Sequence, residues 1–81
     1  MRAPDPGVPL YWCCGGDVVR RHAEHGAEPV DPEAADALLG FHHAESARVR
    51  GVALAFHQAR ARELAAALSA RDRWRRAARV A

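Results

Sequence analysis

The sequence predicts an all-α protein: a short irregular N-terminal arm and a short helix, then one long helix, straight or folded into a helical hairpin, that packs in a helical oligomer. Three observations lead there. From Glu33 onward the chain has no proline and consists mainly of Ala, Leu, Arg and Glu, which are strong helix formers. Asp31-Pro32-Glu33 has the order of a helix start, with a capping carboxylate, a proline suited to the first helical position and an acidic residue at the positive end of the dipole. The apolar residues that follow recur at helical spacing.

Taken in chain order, Met1–Pro9 carries Pro4, Pro6, Gly7 and Pro9, a density that excludes regular structure. An arm over 1–16 follows, containing the aromatic cluster Leu10-Tyr11-Trp12 and the adjacent cysteines. Burial of each large side chain is worth roughly 1.5–3 kcal/mol, so Tyr11 and Trp12 are expected to pack on a helix. Gly15-Gly16 reads as a turn and Asp17 as the N-cap of a helix over 18–25, which Gly26 ends in the left-handed conformation. Ala27–Val30, with Pro29, is a linker within a helical domain spanning 17–81. The long helix is expected over 32–68, weakened by Gly40 and Gly51 at ~1 kcal/mol each. Ser69-Ala70-Arg71-Asp72 resembles a capping box, which makes 70–79 a terminal helix or a continuation.

At 100° per residue, Leu38, Phe41, Val49, Val52, Phe56, Ala59, Ala67 and Trp74 fall within about 60° of one line. A straight helix over 32–68 would be ~55 Å long at 1.5 Å per residue. The residues before it are too few to cover its stripe. Either Gly51 or the Ser69 region folds the helix back, or the stripe meets a second chain, and the second is the preferred expectation.

Composition sets the bounds. The 81 residues form one domain at most, and a chain this short buries only ~60% of its unfolded surface. Nineteen of the 40 hydrophobic residues are alanine, which favours helix but buries little. All 12 basic residues are arginine, and Lys, Ile, Asn and Thr are absent, a bias that reads as a GC-rich bacterial genome. The net charge is +2; five arginines and one Asp in 71–81 give that tail +4 and leave −2 for the rest. No apolar run approaches the ~18 residues of a membrane span, and no signal peptide is expected. Cys13 and Cys14 are neighbours, a poor geometry for a disulfide, and read as free thiols in a cytoplasmic protein.

The functional expectation is a small protein–protein interaction module, regulatory or assembly-related, acting on itself as a homo-oligomer or on another protein. Its face comprises Leu38, Phe41, Glu45, Val49, Val52, Phe56 and Trp74. Glu45 and Glu63 lie on that stripe, where Glu45 pairs with Arg48 or His42, and Glu63 with Arg60 or an arginine of a facing helix. Charges embedded in this way set register and partner choice.

Two alternatives rest on other residues. No cofactor is predicted outright, but Cys13, Cys14, His22 and His25 are thiolate and imidazole donors of the kind that bind Zn or Cu. His22 and His25 share a side of the expected short helix, and the Gly15-Gly16 turn brings the cysteines back towards them. Leu10–Pro29, led by Tyr11-Trp12-Cys13, resembles the N-terminal zinc ribbon of small actinobacterial RNA-polymerase-binding proteins. It lacks that family's remaining cysteines, so no ligand is carried across. Nucleic-acid binding is the other alternative, through Arg71, Arg73, Arg75, Arg76 and Arg79 around Trp74. Catalysis is not expected, because no nucleophile stands beside a base and an orienting group in the sequence, and Gly15-Gly16 lacks the flanking residues of a phosphate-binding loop.

Overall fold

The computed structural model describes residues 9–24 and 26–80. Three strands precede two helices: β1 (Tyr11–Cys14), β2 (Asp17–His22), β3 (Gly26–Val30), α1 (Pro32–Ser46) and α2 (Gly51–Val80). The chain is therefore α+β, neither all-α nor a helical bundle.

The expected helix over 18–25 does not form: 18–22 belongs to β2 and 23–24 to a turn, and His25 lies outside the described residues. Gly15 and Gly16 take φ of +60° and +86°, the left-handed pair of a two-residue hairpin turn whose twist matches the flanking strands. Cys14 and Asp17 close that turn, with Trp12 opposite Val19 and Tyr11 opposite Arg20. Asp17 thus opens a strand instead of capping a helix. Adjacent β-branched valines favour the pleated surface, whereas a two-turn helix alone is marginal. β3 pairs with the other edge of β2, placing Val18 opposite Val30 and Val19 opposite Pro29. The segment expected to be a linker is thus an edge strand, where proline is tolerated.

Residues opposite one another share a sheet face. Tyr11 and Val18 point to the helices and are buried with Ala35, Leu64 and Ala67; Leu10, Val30, Leu38, Leu39 and Leu68 pack around this core. Trp12, Val19 and Pro29 lie side by side on the opposite face.

α1 begins as the sequence predicts, with the Asp31 carboxylate accepting the Glu33 N–H at 2.8 Å and Pro32 in the first turn. The single long helix does not form. α1 ends at Ser46, and Gly51, at φ +65°, starts α2 in the reverse direction. The hairpin covers Leu38 and Ala67 of the predicted stripe, while Phe41, Val52, Phe56 and Trp74 stay exposed. The Ser69 region does not restart the helix: Ser69 Oγ accepts from Arg73 at 2.9 Å inside an uninterrupted α2.

Candidate functional site

Folding at Gly51 resets the helical phase, so the inward residues of α1 and α2 follow two separate stripes. In α1 these are Ala35, Leu38, Leu39, His42 and Ser46; in α2, Leu54, His57, Ala61, Leu64 and Leu68, spaced by threes and fours. Ala35, Ala61, Leu64 and Ala67 are buried, and the small alanine side chains let β1 and α1 approach α2 closely.

Past the sheet, the distal half of the hairpin encloses a different kind of interior. His42 is buried, and its Nδ1 lies 2.8 Å from Nδ1 of His57 across the hairpin. The rings of Phe41 and Phe56 meet His42 edge-on at 5.1 and 6.1 Å between centroids, and both also meet His57 edge-on. Burial, the facing His57 and the Arg60 guanidinium hold the His42 imidazole below its ordinary pKa. Arg60 lies over the Phe56 ring at 5.1 Å and pairs with Glu63 at 2.8 Å. Glu63 Oε1 in turn accepts the backbone N–H groups of Leu10 and Tyr11 at 3.0 and 3.4 Å. A continuous chain of contacts therefore joins the aromatic cluster to the edge of the sheet.

The outer side of this cluster is apolar and open. Phe41 is 52% exposed, Phe56 47% and Val52 89%, and Val49 is half-buried in the connection between the helices. Of the predicted face, Phe41 and Phe56 thus share the His42–His57 pair, and Val52 lies one turn before Phe56 in α2. Leu38 instead packs on the core. Glu45 pairs within its own segment with Arg48 at 3.0 Å, and Arg48 Nη2 is the donor; this hydrogen bond holds the carboxyl below the usual glutamate range. Trp74 stands at the other end of α2. Its ring covers Gly16, so that a Cβ at Gly16 would lie 2.5 Å from Trp74 Cε3.

Among the described residues, the proposed metal donors Cys13, Cys14 and His22 are not brought together. Cys13 and Cys14 are adjacent in β1 and point to opposite faces, near the hairpin turn. His22 closes the far end of β2, roughly 13 Å along the strand from the residue opposite Cys13, and its Nδ1 accepts the Glu24 N–H at 3.1 Å. His25 lies outside the described residues. Among the described residues no group of three or more His, Cys, Asp or Glu side chains is placed to hold a metal ion.

Arg71, Arg75, Arg76 and Arg79 border an open, polar cleft of about 400 Å³ on the last turns of α2, with Asp72 among them. Two of these arginines contact carboxylates, Arg71 meeting Asp72 at 3.2 Å and Arg75 meeting Asp17 at 4.0 Å, and Arg73, outside the cleft, bonds Ser69. Among the described residues, no helix is long and apolar enough to cross a membrane.

His42, His57, Arg60 and Glu63 lie outside the face that the sequence predicts: His42, Arg60 and Glu63 enter that reading only as members of ion pairs, and His57 is not singled out for the face. The signal for His57 is the spacing Leu54, His57, Ala61, Leu64, which becomes readable only when α2 is phased from Gly51. Comparison with protein-family models, curated proteins and solved structures gives no match to this chain.

Proposed function

We propose that this chain is a small protein–protein docking module that self-associates through the distal end of its helical hairpin. The observation carrying this reading is the exposure of Phe41, Val52 and Phe56 over a cluster in which Phe41 and Phe56 both meet the His42 and His57 rings edge-on. Large apolar side chains grouped in one patch mark interaction surfaces, whereas scattered ones do not. Aromatic anchors are also the residues that carry most of the energy in such contacts.

The occupant proposed is a second copy. The molecule is elongated and flat, 45 × 32 × 19 Å, so two hairpins can lie side by side with the same patch on each, as a two-fold contact requires. The Glu45–Arg48 pair stands beside the patch, at the polar rim where charges are tolerated.

Light scattering on the intact chain tests the reading. A dimer is expected, with Val52→Asp and Phe56→Asp each shifting the mass to that of a monomer, because a buried carboxylate at an apolar contact costs several kcal/mol. A monomer in the unmodified chain at high concentration overturns self-association. So does an unchanged dimer in both variants.

A further inference from the structure

The two imidazoles of the distal cluster are placed end to end. The 5.1 Å between their ring centres is close to the largest separation that a 2.8 Å contact between ring nitrogens permits. The Nδ1 positions therefore point at each other instead of converging on a third point, which is the geometry of an N–H···N hydrogen bond and not of two ligands on one ion. One imidazole donates its Nδ1 proton and the other accepts through its Nδ1 lone pair.

We propose that the His42–His57 pair is a proton-operated latch on the distal face, closed while the pair shares one proton between its Nδ1 atoms and opened when both rings become imidazolium. This inference takes the distal face to be the docking surface and assigns its regulation. The proton balance has two steps. A first added proton goes to the outer nitrogen of the donor ring and leaves the N–H···N bond in place. A second must go to the acceptor Nδ1, which puts two N–H groups and two positive charges face to face and breaks the bond.

The surroundings oppose that second proton. From α2, Arg60 adds a positive charge, and its partner Glu63 is engaged by it. From α1, Glu45 is close enough to His57 for their charges to interact, and it is engaged by Arg48. Ser46 Oγ is directed to the His42 carbonyl at 2.7 Å and not to its ring. Both of these carboxylates are thus already neutralised by arginine when a double charge forms at the pair. Phe41 and Phe56 rest edge-on against both imidazoles, so separation of the rings moves the side chains that form the exposed patch.

The test separates the latch from the docking. The full chain is studied at concentrations dilute enough to be monomeric, with imidazole nitrogen and Phe ring resonances followed by NMR from about pH 7.5 to about pH 4.5. Two protonation steps are expected, the second lying below the ordinary histidine range, with Phe41 and Phe56 resonances moving in the second step. Phe resonances that ignore histidine protonation, or rings that titrate independently in one step, overturn the latch whatever the association state. Association is then measured across the same range: a dissociation constant that rises as pH falls, by up to about tenfold per pH unit for each proton released and so up to about a hundredfold for the two latches of a dimer, supports the gate, and a pH-independent constant overturns it. His57→Gln, which retains an acceptor but cannot take the second proton, is expected to abolish this slope, with His42→Phe/His57→Phe as a second variant that keeps the site filled. A slope that persists in both variants also overturns the proposal. Absence of association at every pH, with the Phe response intact, rejects the docking reading and leaves the latch.

Discussion

At the scale of single residues, two positions hold the sheet on the helices. Gly16 is buried at φ +86°, directly beneath the Trp74 ring. A methyl there meets both a backbone conformation unfavourable to L-residues and an aromatic ring 2.5 Å away. Gly16→Ala is expected to destabilise the protein by about 1–3 kcal/mol, read from urea unfolding, with tryptophan emission shifted as Trp74 leaves its seat. Glu63 is the second position. Its carboxylate accepts two backbone N–H groups of the β1 entry and pairs with the partly buried Arg60. Removing a charged acceptor from groups that remain partly buried costs about 1–3 kcal/mol. Glu63→Ala should lose that amount in denaturant midpoint analysis and increase amide exchange at Leu10 and Tyr11, while Glu63→Gln, which keeps an acceptor, should lose less.

At the scale of elements, the reversal between α1 and α2 decides what the helical sequence becomes. The segment 47–50 contains no strong helix breaker, and the conformational requirement falls on Gly51, which is exposed and would have open space around a Cβ. Its role is therefore its left-handed φ and not close packing. Gly51→Ala penalises the reversed conformation by roughly 1–2 kcal/mol and favours a continuous helix from α1 into α2. A continuous helix can satisfy the same core contacts only by exchanging halves with another copy. The expected outcome is a domain-swapped dimer that accumulates with concentration, detected by light scattering and persisting when Phe56→Asp is added, unlike the docking dimer.

At the scale of the whole molecule, two interiors share one hairpin: an alanine- and leucine-lined one under the sheet, and an aromatic and imidazole one beyond it. The second makes stability respond to pH. In the unfolded chain the histidines protonate near pH 6.5, whereas burial, His57 and Arg60 hold folded His42 below that value. The folded state therefore binds fewer protons in this window, and stability is retained above the ordinary histidine value and lost as pH falls from there towards the lowered folded value. The thermal midpoint should decrease over that interval, and His42→Phe/His57→Phe should flatten the decrease.

The helical half of the molecule was legible from residues alone. The Asp31-Pro32-Glu33 start, the unbroken helical composition to the C-terminal end, and the apolar set Phe41, Val49, Val52 and Phe56 are local signals that need no tertiary information. The sheet was not legible in that way. Tyr11-Trp12-Cys13-Cys14 and Val18-Val19 are apolar on both faces, so they lack the alternation that marks a half-buried strand, and Gly15-Gly16 serves equally as a hairpin turn or a helix boundary. The direction of the chain at Gly51 was equally undetermined, since a glycine in a helical composition is read as a modest cost until packing selects the left-handed conformation. By itself, then, the sequence determined where helix starts and which apolar residues travel together, because capping and periodicity act over a few residues. That β1, β2 and β3 pair into a sheet and that His42 meets His57 follow only from tertiary packing. Both depend on contacts between segments distant in the chain, whose energy comes from covering the Ala- and Leu-bearing face of α2.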